Sequence, residues 1–449
     1  MPFSYSPPTG DLGGGINPHV VAGRTAGYFE KLHLVALRHH MKAWSTRSDA
    51  RFLDFGTDYT YPFYADYSPT VEALAALGDD RKSARHYPSS YGTDLLRKEV
   101  TAFINRQFGV TVRADTEVMI SPGASQIFDA VSRTYAGRYV LLPELALPTV
   151  NTIATGNGAE VVRVPFDECG RPSINEISRL VTKLGRENIR FLYVNSPMNP
   201  TGVVLRHDYF GELVDLARRD RFAVIHDHDS WFTSHDGRRA PNILEVEGAT
   251  EVAITVLSVS KELGLPGLRV GAVAGASELI NMIRIHNSEF CVMIPEFVQN
   301  AAATALKMSS DPSIREHVQR RISDSLQTTL KELKGLGWPH DAIWPPVAGY
   351  KFMFTPPKAF GDYDVEGVSG VELFDFFLAS EAGVKLSTSR SFNADRRHAM
   401  RMVLMQNASE VREAFERMER AGISYSMPVP DQLHDSFVKF AQSLDFWDL

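Results

Sequence analysis

From Glu117 to Val259 the chain alternates short apolar runs with segments whose apolar residues recur every three or four positions. The runs EVMI (117–120), YVLLP (139–143), EVVRVPF (160–166), IRFLYVN (189–195), FAVIHD (222–227) and VAITVLSV (252–259) predict strands. The intervening SQIFDAVSRTY (125–135) and HDYFGELVDLARRD (207–220) carry the helical period. Strands this short and this apolar, separated by helices, predict a mostly parallel sheet covered on both faces, an α/β architecture. Functional groups are then expected just past the carboxyl ends of the strands.

The flanks read differently. Residues 1–28 are rich in Gly, Pro and Ser and predict an extended arm, 29–46 an early helix, and Leu53–Phe55 a short strand. A further helix begins near Asp94 and stops at Gly109. After Pro295 the pattern turns to long helix, EFVQNAAATALKM and then REHVQRRISDSLQTTLKELKGLG. A smaller α+β domain follows, with YKFMFTP, the helix VELFDFFLASEAG, the strand pair VKLS and MRMVLM, and the helix ASEVREAFERMERAG. HDSFVKFAQSLDFW predicts a last helix to which the sequence gives no role. The division is therefore 1–74 (arm and part of the small domain), 75–305 (large domain) and 306–449 (connector helix and small domain).

Composition narrows the class of protein. With 449 residues, 44% hydrophobic and 22% charged, and ordinary Gly and Pro usage, the chain is globular rather than fibrous or disordered. A formal charge of −7 gives no basic excess for a nucleic-acid partner. Cys169 and Cys291 are too few for a disulfide framework, which points to a reducing, cytoplasmic setting. The start carries no signal-peptide pattern, and no stretch approaches the 18 apolar residues of a membrane span.

The strongest chemical signal is SVSKELGLPGLRVG (258–271). It sets Lys261 just past an apolar strand, with Ser258 and Ser260 beside it, a tight Gly264–Pro266–Gly267 connection, and Arg269 eight residues on. A desolvated lysine near other cations suits Schiff-base chemistry, whereas an isolated lysine in a turn is ordinarily surface. Three other segments change that balance. NSPMNPTG (195–202) presents Asn199 at a strand end, and Asp227 closes FAVIHD. SPGASQ (121–126) offers the N–H groups of Gly123, Ala124 and Ser125 at a helix start, a natural anion cradle that Ser258 and Arg269 can complete. His226 and His228 in IHDHD resemble a pair of metal ligands, a reading that the family resemblance given next replaces with one that needs no metal, and Asp229 is the alternative to Asp227 if the strand bulges.

This ordered set, from about His86 to Arg401, resembles the fold-type I pyridoxal-phosphate enzymes of the class I/II aminotransferase family. The resemblance implies the three-layer fold of that family and pyridoxal 5'-phosphate as cofactor. It makes Lys261 the lysine that bonds the cofactor and later moves the substrate's alpha proton, and Asp227 the partner of the pyridine nitrogen. Asn199 would donate to the ring's 3'-oxygen, and Gly123, Ala124, Ser125, Ser258 and Arg269 would hold the phosphate. Arg401, in MRMVL, is similar to the arginine that clamps the substrate alpha-carboxylate. Tyr87, in HYPSSYG, is similar to the tyrosine that reaches the phosphate of a neighbouring subunit, which implies a homodimer with shared active sites.

Two departures bear on the reaction. Where the family stacks an aromatic ring on the cofactor, this chain has Leu147, in LALP. Three residues past Asp227, where the family commonly has a tyrosine, stands Ser230, followed by Trp231, which a local shift would bring to the cofactor instead. The expected function is amino-group transfer between an L-amino acid and a 2-oxo acid. The alternative is alpha- or gamma-carbon chemistry by a lyase, cyclase or carbon–carbon bond-forming enzyme, on S-adenosylmethionine or a specialised amino acid. The lysine segment's GLPG and RVG are similar to 1-aminocyclopropane-1-carboxylate synthases and motivate it. A non-enzymatic sensing role is the third reading. The aromatic segment 59–67 and IRIHNSEF (283–290) are candidates for the entrance lining.

Overall fold

The structure is a computed structural model that describes residues 52–56, 87–230, 235, 238–261, 263–290, 293–366, 368–392 and 398–443. The early helix over 29–46, the aromatic segment 59–67, Trp231 and Cys291 fall outside these residues. The described chain forms two compact units, one of 87–320 with 347–349, the other of 52–56, 321–346 and 350–443.

In chain order, β1 (Leu53–Asp54) belongs to the smaller unit, and the larger one opens with helix α1 (Asp94–Phe108). Thr93 caps α1 by accepting from Leu96 N, and Gly109 ends it at φ 69, the left-handed position a C-terminal glycine takes without strain. Its buried residues Leu96, Val100, Phe103, Ile104 and Phe108 recur at the helical period, so one stripe faces the sheet.

The sheet strands are β2 (Val118–Ser121), β3 (Tyr139–Pro143), β4 (Glu160–Val164), β5 (Ile189–Asn195), β6 (Val224–Asp227), β7 (Ala253–Ser258) and β8 (Gly271–Gly275). Between them lie α2 (Ala124–Thr134), α3 (Pro148–Gly156), α4 (Ile174–Leu184) and α5 (His207–Asp220). The spatial order is β2-β8-β7-β6-β5-β3-β4, parallel except for β8, which runs antiparallel to both β2 and β7. Sequence reasoning had no strand at β8. GAVAG lacks the branched residues that mark strands, and its glycine and alanine side chains suit close packing between two neighbours.

One face of this sheet, with Met119, Val140, Leu142, Phe191, Tyr193, Ile225, Ile254, Val256 and Val273, packs on Ile127, Phe128 and Val131 of α2 and on Ile280 and Ile283. The last two come from α6 (Ser277–Phe290), the helix that contains IRIHNSEF. Ile283, His286 and Asn287 of that segment are buried, while Ile285 and Phe290 are exposed.

Helix α7 (Glu296–Met308) packs on α1, and α8 (Pro312–Gly335) leads out of the larger unit. The smaller unit holds a four-stranded antiparallel sheet, β14-β15-β10-β9, from β9 (Ile343–Trp344), β10 (Lys351–Phe354), β14 (Ser387–Thr388) and β15 (Met400–Val403). A hairpin of β11 (Asp364–Val365) and β12 (Val368–Ser369) precedes α9 (Gly370–Phe377), and β13 (Val384–Lys385) pairs in parallel with β1. VKLS thus splits between two sheets, β13 with β1 and β14 with β15. Asn407 and Glu410 form a capping box on α10 (Ala408–Arg420). The last helix, α11 (Leu433–Ser443), lays Phe437 and Phe440 against Phe376 of α9.

Candidate active site

The sheet register gathers the sequence-predicted residues of the larger unit at one edge. Ser121 of β2 pairs with Gly271 of β8, which pairs in turn with Ser258 of β7, so the three stand in line. Asp227, at the end of β6, is level with Asn195 of β5 and Val256 of β7. The pairing of β6 has no bulge, so Asp227, and not Asp229, is the strand-end carboxylate.

Past Ser121 the chain turns through Gly123, at φ 78 and ψ 169, into α2. That backbone region is open to glycine alone. No side chain caps the helix and no acidic residue occupies its first turn, so its N–H groups and dipole present a positive end. On the other side, a short turn over Pro266–Leu268 ends at Arg269 in the left-handed conformation, φ 53 and ψ 46. Its guanidinium lies against Gly123: a β-carbon there would meet Nη2 at 2.5 Å. A β-carbon on Gly271 would meet Gly123 C at 2.8 Å and Ala124 N at 3.0 Å. The buried Ser258 hydroxyl accepts from Ser260 N at 3.1 Å. Ser125 is exposed in the first turn of α2. An uncapped helix start, a hydroxyl and a guanidinium packed where only glycines fit are the donors a phosphate dianion needs. The phosphate end of pyridoxal phosphate fits them. Lys261 follows Ser258 by three residues, half-buried, with its carbonyl accepting from Gly264 N at 3.2 Å.

Asp227 is held from several sides. Its main-chain oxygen accepts from Asn195 Nδ2 at 2.8 Å and from Ser196 N at 3.1 Å. Its Oδ2 accepts from the hydroxyl of Tyr193 at 2.7 Å. Asn195 Oδ1 also accepts from Asn199 N at 2.6 Å, which ties the buried Asn199 to the same strand end. The loop closes on itself through Met198 N to Val203 O at 2.8 Å and Gly202 N to Met198 O at 2.7 Å. Tyr193 and Asn195 were missed as site residues from sequence. The period of two along IRFLYVN puts both on one face, and only the pairing of β5 with β6 makes it the face that carries Asp227.

The opposite face holds His226 and His228, fully buried and stacked at 4.7 Å. His228 Nδ1 lies 2.7 Å from Asn242 Nδ2, which also donates to Thr255 Oγ1 at 2.9 Å. Burial drives both imidazoles toward the neutral form, His226 down to about 3 and His228 well below its usual range. No cluster suited to a metal ion occurs among the described residues.

The remaining candidates are placed as follows. Leu147 precedes α3 and packs half-buried on the large core cluster. Ser230 is buried and donates to Asp229 Oδ1 at 3.2 Å. Tyr87 is 96% exposed in the single chain. Arg401 belongs to the smaller unit, buried in β15 opposite Met353 and Ser387. Its guanidinium donates to Gly56 O and to Ser387 Oγ at 3.3 Å and lies 5.0 Å from the Phe392 ring. Of the neighbouring arginines, Arg390 pairs with Glu372 at 2.7 Å.

Comparison with known proteins adds to this geometry. The family model for aminotransferase class I and II matches residues 58–418. The LL-diaminopimelate aminotransferase of Gloeobacter violaceus is 29% identical over 370 residues, covering 79% of this chain and 87% of that protein. The L-glutamine--4-(methylsulfanyl)-2-oxobutanoate aminotransferase of Bacillus subtilis is 24% identical over 339 residues, covering 75% and 81%. Among solved structures, substrate-bound BacF from Bacillus subtilis superposes with a TM-score of 0.78 at 21% identity, covering 92% of this chain and 100% of that one.

Proposed function

Because this chain belongs to the class I and II aminotransferase family, it is a pyridoxal-phosphate-dependent aminotransferase, and we propose that Lys261, Asp227 and the Gly123–Arg269 cradle do its chemistry. The observation that carries this assignment is the line Ser121–Gly271–Ser258, continued by Gly123 and Arg269, at the same sheet edge as Asp227. When bound, the cofactor supplies an electron sink for the carbanion left at the substrate's alpha carbon. Gly123, Ala124, Ser125, Ser258 and Arg269 bind its phosphate. Asp227 would pair with its ring nitrogen and keep that nitrogen protonated, while Asn199 would donate to the 3'-oxygen. Leu147 would pack on the ring in place of an aromatic side chain, and Ser230 would leave Asn199 as the main donor. Lys261 would take the proton from the substrate's alpha carbon and deliver it to C4' of the cofactor. Arg401 binds the substrate carboxylate through its two-pronged guanidinium.

The substrates are an L-amino acid and a 2-oxo acid. The names of the relatives put LL-diaminopimelate, and glutamine with 4-(methylsulfanyl)-2-oxobutanoate, first among the pairs to try. Gamma-carbon chemistry on S-adenosylmethionine is not favoured, since the relatives found carry aminotransferase names. A homodimer is the working assembly, with the exposed Tyr87 reaching the phosphate of the second copy. No described helix is long and apolar enough to cross a membrane. A cytoplasmic setting is proposed from the two-cysteine composition.

The test is to mix the cofactor-loaded protein with single amino acids and follow the visible cofactor band together with 2-oxo acid release. Stoichiometric oxo acid with loss of the band supports the assignment, and Lys261→Ala should abolish both. Turnover that survives Lys261→Ala would overturn the role of this lysine.

A further inference from the structure

Tyr193 is the polar-tipped aromatic of its strand, and it has no solvent exposure. Its ring meets Phe128 of α2 edge-on, with centroids 5.5 Å apart at 85°. A phenylalanine would fill that hole equally well. The hydroxyl therefore needs another reason to be there, because an alcohol buried without a partner destabilises. Its partner is Asp227 Oδ2 at 2.7 Å.

The two ends of Asp227 are held by different groups. The main chain is fixed by the strand pairing and by Asn195 Nδ2 and Ser196 N on its carbonyl oxygen. On the carboxylate, the Tyr193 hydroxyl donates to Oδ2 at 2.7 Å. A neutral phenol donating to a carboxylate stabilises the ionised form. The phenol stays a donor because burial, first, and then the charges of Asp227 and Asp229 push its own ionisation far above the usual range.

We propose that Tyr193 is a positioning residue that holds the Asp227 carboxylate ionised and aimed so that the cofactor's pyridine nitrogen stays protonated. This rests on the reading of Asp227 given above.

The test compares wild type, Tyr193→Phe, Asp227→Ala and the double variant, each loaded with pyridoxal phosphate labelled with 15N in the ring. The 15N chemical shift reports ring protonation independently of turnover. Tyr193→Phe should move the signal toward the unprotonated position and lower kcat about tenfold, with KM for both substrates within about twofold. Adding Tyr193→Phe to Asp227→Ala should change neither readout further. A Tyr193→Phe enzyme with wild-type 15N signal and kcat would overturn the inference. So would an additional loss in the double variant, because the tyrosine would then act otherwise than through Asp227. Were Asp227→Ala to keep the wild-type 15N signal, the reading of Asp227 itself would fall, a different failure from the first. Tyr193→Met, which keeps apolar volume without a hydroxyl, carries the same comparison should Tyr193→Phe fold poorly.

Discussion

The guanidinium of Arg269 occupies the space in which a β-carbon on Gly123 would stand, 2.5 Å from Nη2. A side chain on Gly123 would displace the arginine tip. Gly123 is at φ 78 and ψ 169, which other residues adopt only under strain of about 1–3 kcal/mol. In Gly123→Ala the arginine tip swings aside and the turn relaxes away from α2. Cofactor affinity should fall at least about tenfold, read by titrating the apoprotein with pyridoxal phosphate and following absorbance. Inorganic phosphate should compete with the cofactor in wild type and do so more weakly in Arg269→Ala. An unchanged dissociation constant in Gly123→Ala would remove this turn from the phosphate site.

In the smaller unit, Gly56 O accepts from both Arg401 and Ser387 Oγ, the latter at 2.7 Å, while Gly56 N donates to Asp54 Oδ1 at 2.9 Å. Arg401 thus has its guanidinium oriented by a backbone carbonyl and a hydroxyl. Arg401→Lys keeps the charge but loses the planar fork, so KM for the amino acid and the oxo acid should both rise about 100-fold. The cofactor's dissociation constant should not move. Ser387→Ala removes one neutral support and should raise the same KM values about fivefold. Steady-state kinetics with a dicarboxylate and a monocarboxylate substrate decide this. A loss confined to the dicarboxylate would place Arg401 on the distal group, not on the alpha-carboxylate.

Much of this was legible in the chain. The segments YVLLP, IRFLYVN and HDYFGELVDLARRD form elements over the residues read from their patterns, because each has a clean period and a turn signal at its end. The helix after Pro295 is equally clear, since its run of alanines favours helix and its buried residues, among them Ala302, Ala305 and Leu306, recur at the helical period. GAVAG was invisible because what makes it a strand is its two neighbours, not its own side chains. The same holds within the site. Gly123, Asp227 and Lys261 are read from their motifs taken together, whereas Tyr193 comes to Asp227 only because β5 lies beside β6 and sets its hydroxyl 2.7 Å from the carboxylate. Long-range pairing of that kind leaves no signal in a window of a dozen residues.

The stacked histidines behind Asp227 predict how the protein responds to acid. Burial lowers the folded-state pKa of His226 to about 3 and that of His228 well below 6.5, with Arg239 adding to the second. In the unfolded chain both titrate near about 6.5. Below that pH the unfolded state binds more protons than the folded one, so stability falls as pH falls. The contribution is fully present above about pH 6.5 and lost progressively toward about pH 3. Both histidines act in the same direction, so their losses reinforce each other as pH falls below about 6.5. Urea unfolding midpoints should therefore drop between pH 7 and pH 5. His226 meets Phe210 at 4.8 Å, tilted by 57°, and stacks on His228, so His226→Phe keeps an aromatic ring in the cluster and removes one titrating group. That variant should show a visibly shallower drop, whereas an acid sensitivity equal to wild type would assign the effect to other groups.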